Sequence, residues 1–128
     1  MAKSDYLEQK VLNLVLRGIA FTPPAGAYLA LFSTATTDAG GGTELVGNGY
    51  LRQAVTFAAP SGNSCSNSAQ VNFPVATPGA WATVTHAAIF DASSGGNMLY
   101  HGPLTSAKSV AAGEQLIFPI GTILASED

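Results

Sequence analysis

Val84-Thr85-His86-Ala87-Ala88-Ile89-Phe90, followed by Asp91-Ala92-Ser93-Ser94-Gly95-Gly96-Asn97 and then Met98-Leu99-Tyr100-His101, is the stretch that decides the fold. Its two ends are short apolar runs with β-branched and aromatic residues, the composition of buried strands. The middle is a cluster of Ser, Gly and Asn, residues that supply positive φ or local side-chain bonds at small steric cost. Asp91, at the start of that turn, is placed to bond backbone amides within it. Strand, turn, strand is the grammar of an antiparallel sheet.

The same grammar extends outward. Further strands are expected at Ala27–Phe32, Tyr50–Phe57, Ala69–Phe73, Lys108–Val110, Leu116–Ile120 and Thr122–Ala125. Between them lie Asp38-Ala39-Gly40-Gly41-Gly42, Gly47-Asn48-Gly49, Pro60-Ser61-Gly62-Asn63, Pro78-Gly79 and Ala112-Gly113. Short strands, frequent turns and no second helical pattern predict a mainly β chain, an antiparallel β-sandwich or jelly-roll-like body over residues 27–125. Pro119 lacks a backbone donor and is expected at a sheet edge or a bulge.

Only residues 4–17 read differently. Ser4 can cap a helix, Asp5 and Glu8 occupy its first turn, and Arg17 occupies its last. Gly18 is a natural stop, with Pro23-Pro24 soon after. At about 100° per residue Leu7, Val11, Leu14 and Val15 form one stripe toward the body, whereas Leu12 and Leu16 fall well outside it. The arc is wider than packing on one sheet requires. Leu12 and Leu16 are therefore candidates either for deep burial or for contact with another subunit. The 128 residues make one domain, with an N-terminal helix and a β body.

Charge narrows the function. Asp, Glu, Lys and Arg make up 10% of the chain, against roughly 25% in ordinary domains. Between Gly18 and Ser126 the charged residues are Asp38, Glu44, Arg52, Asp91, Lys108 and Glu114 alone. Such a surface discourages association poorly, which points to a part of an assembly. A net charge of −3 with five basic residues makes no patch for nucleic acid. No apolar run approaches the ~20 residues of a membrane span, and no targeting segment is evident. The single Cys65, in a polar loop of Ser, Gly and Asn, reads as an incidental thiol.

Chemistry is sparse. Ser93, Ser94, His86, His101 and Asp91 could make a triad on paper, but no Gly-x-Ser-x-Gly elbow accompanies them. His86 reads as a core or interface histidine, and His101 as a loop histidine bonded to backbone. The acids are scattered singly, so no metal site is expected, and Gly40-Gly41-Gly42 lacks the Lys-Ser/Thr of a phosphate loop. No catalytic residue, metal or cofactor is assigned. Glu44 and Arg52 are the candidate ion pair, within the chain or between subunits. Trp81, beside Pro78-Gly79, is either a cap over the sandwich core or the aromatic platform of a glycan site.

Three segments together resemble a family of small tailed-phage virion proteins, often labelled tail fibre proteins. They are Met1-Ala2-Lys3-Ser4-Asp5-Tyr6-Leu7-Glu8 running to Leu16-Arg17-Gly18; Tyr28-Leu29-Ala30-Leu31-Phe32 with Thr37-Asp38-Ala39-Gly40 and Gly49-Tyr50-Leu51-Arg52-Gln53; and Trp81 with Thr85-His86, Ile89-Phe90-Asp91, Gly95-Gly96-Asn97 and Leu99-Tyr100-His101-Gly102. The resemblance implies a structural protein of the virion, made in the host bacterial cytoplasm. The compact body, without extended shaft repeats, suits a capsid decoration or cement protein on the outside of the shell. Its expected partners are itself, as a homotrimer, and the major capsid protein. The alternative is a tail-fibre or tail-tip component, partnered by other tail proteins and binding a receptor such as a glycan.

Overall fold

A computed structural model describes residues 1–127. Among these described residues the chain is mainly β, with one helix, α1 (Asp5–Arg17), and nine strands: β1 (Ala2–Lys3), β2 (Ala27–Phe32), β3 (Gln53–Val55), β4 (Ser64–Ser66), β5 (Val71–Asn72), β6 (Val84–Phe90), β7 (Met98–Lys108), β8 (Ile117–Phe118) and β9 (Leu124–Ser126). Five of them form one sheet in the order β1-β7-β6-β2-β3. Against it lie two short ribbons, β4 with β9 and β5 with β8. Every pairing is antiparallel.

Period-two alternation builds the core. Leu29 and Leu31 of β2, Ala87 and Ile89 of β6 and Leu99 of β7 point inward, meeting Val71, Phe73, Ile123 and Ala125 from the ribbon side. The intervening residues Ala30, Phe32, Ala88, Phe90 and Met98 form a second cluster on the opposite face of the sheet. Phe32 and Phe90 stack there with ring centres 6.3 Å apart. Both faces of the central strands are thus buried, which is why these runs are almost continuously apolar.

The strand expected at Met98–His101 runs on to Lys108 as β7, and of the strand expected at Lys108–Val110 only Lys108 belongs to it. Pro103 lies where the register with β6 breaks, between the Val84↔Lys108 and His86↔Pro103 pairs, and beyond the reach of β1. A missing donor is tolerated at such a place. The strand expected at Tyr50–Phe57 contracts to Gln53–Val55, and those at 69–73 and 116–120 contract to two residues each. β8 stops at Phe118, immediately before Pro119. Two strands were not expected: β1, and β4 in the loop around Cys65. That thiol is half-buried and packs against the core.

Candidate functional site: the N-terminal helix

The helix is fastened at one end. Ser4 is its N-cap, buried, with its Oγ accepting from the Leu7 amide (3.3 Å) and donating to Met98 O. The Ser4 amide donates to Leu99 O and the Asp5 amide to Asp38 O, both at 2.9 Å. β1 holds the preceding residues on the edge of β7, in register Ala2↔His101 and Lys3↔Tyr100. Lys3 also pairs with Glu127 at 2.7 Å, and Glu127 accepts from Tyr100 at 2.6 Å. Leu7 completes the attachment at 8% exposure.

Beyond the second turn the helix leaves the body. Val11 is half-buried, but Leu12 is 55%, Val15 70% and Leu16 75% exposed. The expectation that Leu14 and Val15 continue the buried stripe is corrected: both are exposed, and Leu7 is the one residue of the helix that is buried. Leu12 and Leu16 are not core residues of this chain. Asn13 and Arg17 form the polar strip of this end, with Arg17 Nη1 donating to Asn13 Oδ1 at 3.1 Å. Gly18 then takes the left-handed conformation (φ 64°), and the Ile19 amide returns to Asn13 O at 3.0 Å. A side chain at Gly18 would be strained in that turn.

Glu44 and Arg52 meet within the chain. Arg52 Nε and Nη2 each donate to a different Glu44 oxygen at 2.8 Å, and the Arg52 side chain is nearly buried. Tyr50 OH donates to the same carboxylate at 2.7 Å and accepts from the Leu31 amide at 3.0 Å. Burial alone raises the Glu44 pKa, but the bonds from Arg52 and Tyr50 and the Arg52 charge outweigh it and hold it below its ordinary value. Burial, with the Glu44 bond, pushes the Tyr50 hydroxyl well above its usual range. Arg52 Nη1 also reaches Ala92 O and Gly95 O, tying the β6–β7 turn to the segment before β3.

Trp81 is 7% exposed and sits edge-on to Tyr50 and Phe73, at 5.6 and 6.2 Å between ring centres. Its Nε1 donates to Asn48 O at 2.8 Å. A ring so covered offers a sugar no face to stack on.

His86 lies partly buried in β6, as its apolar strand suggests, whereas His101 is placed differently from expectation. His101 is no loop residue; it lies buried within β7 and bonds side chains on both ring nitrogens. Nδ1 contacts Thr36 Oγ1 at 2.8 Å and Nε2 contacts Asp38 Oδ1 at 2.7 Å. The array ties the Thr36–Gly42 loop to the sheet beside the helix cap. The cavity next to it, about 310 Å³, is lined by Asp38 but by neither Thr36 nor His101. His86 bonds Thr85 Oγ1 at 2.9 Å. Asp91 stays apart from both histidines, accepting from the Asn97 amide and side chain. Sequence reasoning missed Asn67, buried in the core, which accepts from the Ile123 amide and donates to Ala69 O and Pro119 O. Nothing in the pattern around it distinguishes it from a turn asparagine.

A charge-poor sandwich with a tethered, uncovered helix is thus on view, and the family comparison agrees with an assembly part. A family model described as podophage GP4 fiber I protein gp80 matches residues 2–126. The chain belongs to this family. Membership in a phage fibre family makes it a structural component of a bacteriophage virion, and the match spans helix and sandwich alike. No curated protein matches the chain. Among the described residues, no helix is long and apolar enough to cross a membrane.

Proposed function

We propose that this fibre-family chain is a component of the phage tail, present in few copies, and that it serves attachment and assembly rather than catalysis. The observation that carries this reading is the α1 end. A helix clamped at Ser4 and Leu7, yet bare at Leu12, Val15 and Leu16, is a connector awaiting other protein. Exposed apolar patches of this kind mark interaction surfaces. The fibre description of the family favours the tail over the shell.

A second reading, decoration of the capsid exterior in contact with the major capsid protein, is favoured by the compact body. It has no repeating shaft, and its few charges suit a surface crowded by neighbours. Quantitative mass spectrometry of purified particles separates the two. A copy number far below that of the major capsid protein supports the tail. A number of the same order overturns the tail reading in favour of decoration. Absence from particles, with abundance in the lysate, overturns both.

A further inference from the structure

We infer that Asn48–Gly49 is a modification site: a deamidation that the native fold holds shut and that proceeds, one way, once the contacts around Trp81 open.

The sequence singles out this bond. Asparagine is among the thermolabile residues, because the backbone nitrogen of the next residue can attack its side-chain carbonyl and close an imide ring. Glycine in that next position favours the attack, since it puts no side chain beside the nitrogen. Asn48 alone is followed by glycine; Asn13, Asn63, Asn67, Asn72 and Asn97 precede Leu14, Ser64, Ser68, Phe73 and Met98.

The step balances with water as its co-reactant. The Gly49 nitrogen bonds Asn48 Cγ, its proton passes to the amide nitrogen, and the Cγ–Nδ2 bond breaks to release ammonia. Water then opens the imide. Opening at Cγ leaves an aspartate; opening at the backbone carbonyl leaves an isoaspartate, with the main chain running through Cβ and Cγ. Either product carries a carboxylate in place of the amide.

The fold obstructs the first bond. Asn48 (φ 50°) and Gly49 (φ 82°) form a turn closed by the Tyr50 amide onto Gly47 O at 3.0 Å, the signs of type I′. Ring closure must swing the peptide plane between them, because that plane carries the attacking nitrogen. The same plane carries the Asn48 carbonyl, which accepts from Trp81 Nε1 at 2.8 Å and from the Thr77 amide at 3.1 Å. The leaving nitrogen is held too, with Nδ2 donating to Ala80 O at 2.9 Å. It is packed so closely that a Cβ added at Gly79 would stand 3.2 Å from it. These three bonds must open before nitrogen and carbon can meet, so local opening sets the rate. The product does not close again on the same terms. A carboxylate has no proton for Ala80 O, and two acceptors would face each other there.

The test is to incubate the purified full chain at mildly alkaline pH, folded and in urea, and to map its peptides by mass. In urea Asn48 is expected to be the first asparagine converted, with ammonia released in equal amount and both acids formed. In the folded chain its conversion is expected to be slower by roughly a hundredfold, the factor for opening three bonds of ordinary net strength. A folded rate within about tenfold of the unfolded one, or another asparagine converted first in urea, overturns the inference. Trp81→Phe keeps a ring but lacks the donor, and its folded rate is expected to rise about fivefold with its rate in urea unchanged. An unchanged folded rate overturns the inference as well. Should that variant not fold, the two wild-type rates decide alone. Asn48→Asp, the product made by substitution, is expected to melt below wild type; an equal melting temperature overturns the one-way step.

Discussion

The Arg52 guanidinium lies over the Phe90 ring, 3.8 Å from its centre, while its nitrogens grip both oxygens of Glu44. One side chain therefore roofs the second apolar cluster, neutralises a partly buried carboxylate and holds the turn after β6. Arg52→Ala should strip the charge partner from Glu44 and uncover Phe90. Breaking a buried pair by removing one partner typically costs about 3–5 kcal/mol, and this pair, partly open on the Glu44 side, should fall toward the lower end. Arg52→Lys should recover only part of it, because an ammonium cannot form the paired contact. Urea denaturation of the three proteins gives the order. A variant Arg52→Ala as stable as wild type would remove the network from the account of stability.

Acid should weaken the fold. Burial pushes the Glu44, Asp91 and Glu127 carboxyls upward, but their hydrogen bonds and neighbouring cations outweigh it, so all three sit below their ordinary values of 4.5, 3.8 and 4.5. The unfolded chain then binds protons more readily than the folded one in acid. The stabilisation is complete above the ordinary carboxylate values and is lost as the pH falls through the lower, folded ones. Melting temperature should be level around neutrality and decline below about pH 4.5. Glu44→Gln should lower stability at neutral pH and flatten the decline. An unchanged slope in that variant would assign the acid sensitivity elsewhere.

Trp81 should behave as a core residue. Trp81→Ala removes a ring packed between Tyr50 and Phe73 and leaves the Asn48 carbonyl with the Thr77 amide as its remaining donor. Replacing a core Trp by Ala typically costs about 3–5 kcal/mol. A glycan-array signal from the wild type that this substitution abolishes at unchanged melting temperature would reverse the assignment.

Leu7 and Leu16, nine residues apart on one helix, should separate sharply. Leu7→Ala removes a buried side chain and should cost about 2–5 kcal/mol in thermal or chemical unfolding. Leu16→Ala, measured at concentrations low enough to keep the chain monomeric, should lie within about 0.5 kcal/mol of wild type. Equal losses would mean that Leu16 packs on its own body.

Gly96 should be irreplaceable. It adopts φ 73°, and an added Cβ would stand 2.5 Å from Asp91 Oδ1 and 2.7 Å from the Ala92 Cβ. Gly96→Ala therefore combines backbone strain with loss of the Asp91–Asn97 bonds, and a clear drop in melting temperature is expected. Gly95→Ala shares the positive φ but meets open space, so it should be the milder change.

The sequence speaks most clearly where burial is two-sided. Val84–Phe90 and Ala27–Phe32 are legible to the residue, since both strands bury both faces. β4 is hidden because Ser64-Cys65-Ser66 pairs through its backbone and brings almost no apolar pattern. β1 is two residues long, shorter than any periodicity can reveal. The helix was readable as a helix from its cap and stop, but the stripe of Leu7, Val11, Leu14 and Val15 carries no mark of where the body ends. His101 escaped because its partners, Thr36 and Asp38, lie more than sixty residues away. Glu44 and Arg52 stand out by isolation in an uncharged body, a signal independent of distance along the chain.

The place of α1 in the chain, between β1 and β2, sets how the molecule bears tension. A pull on the free end of the helix reaches the body along two routes. One runs back through Ser4 to β1, a two-residue strip on the edge of β7 that can be peeled away a bond at a time. The other runs forward through residues 19–26 into β2, which is flanked by β6 along Tyr28–Phe32 and by β3 along Ala27–Leu29. Drawn lengthwise, β2 can slip only by shearing both ladders together. The forward route is the stiff one, and under force the N-terminal strip should yield while the sandwich stays whole.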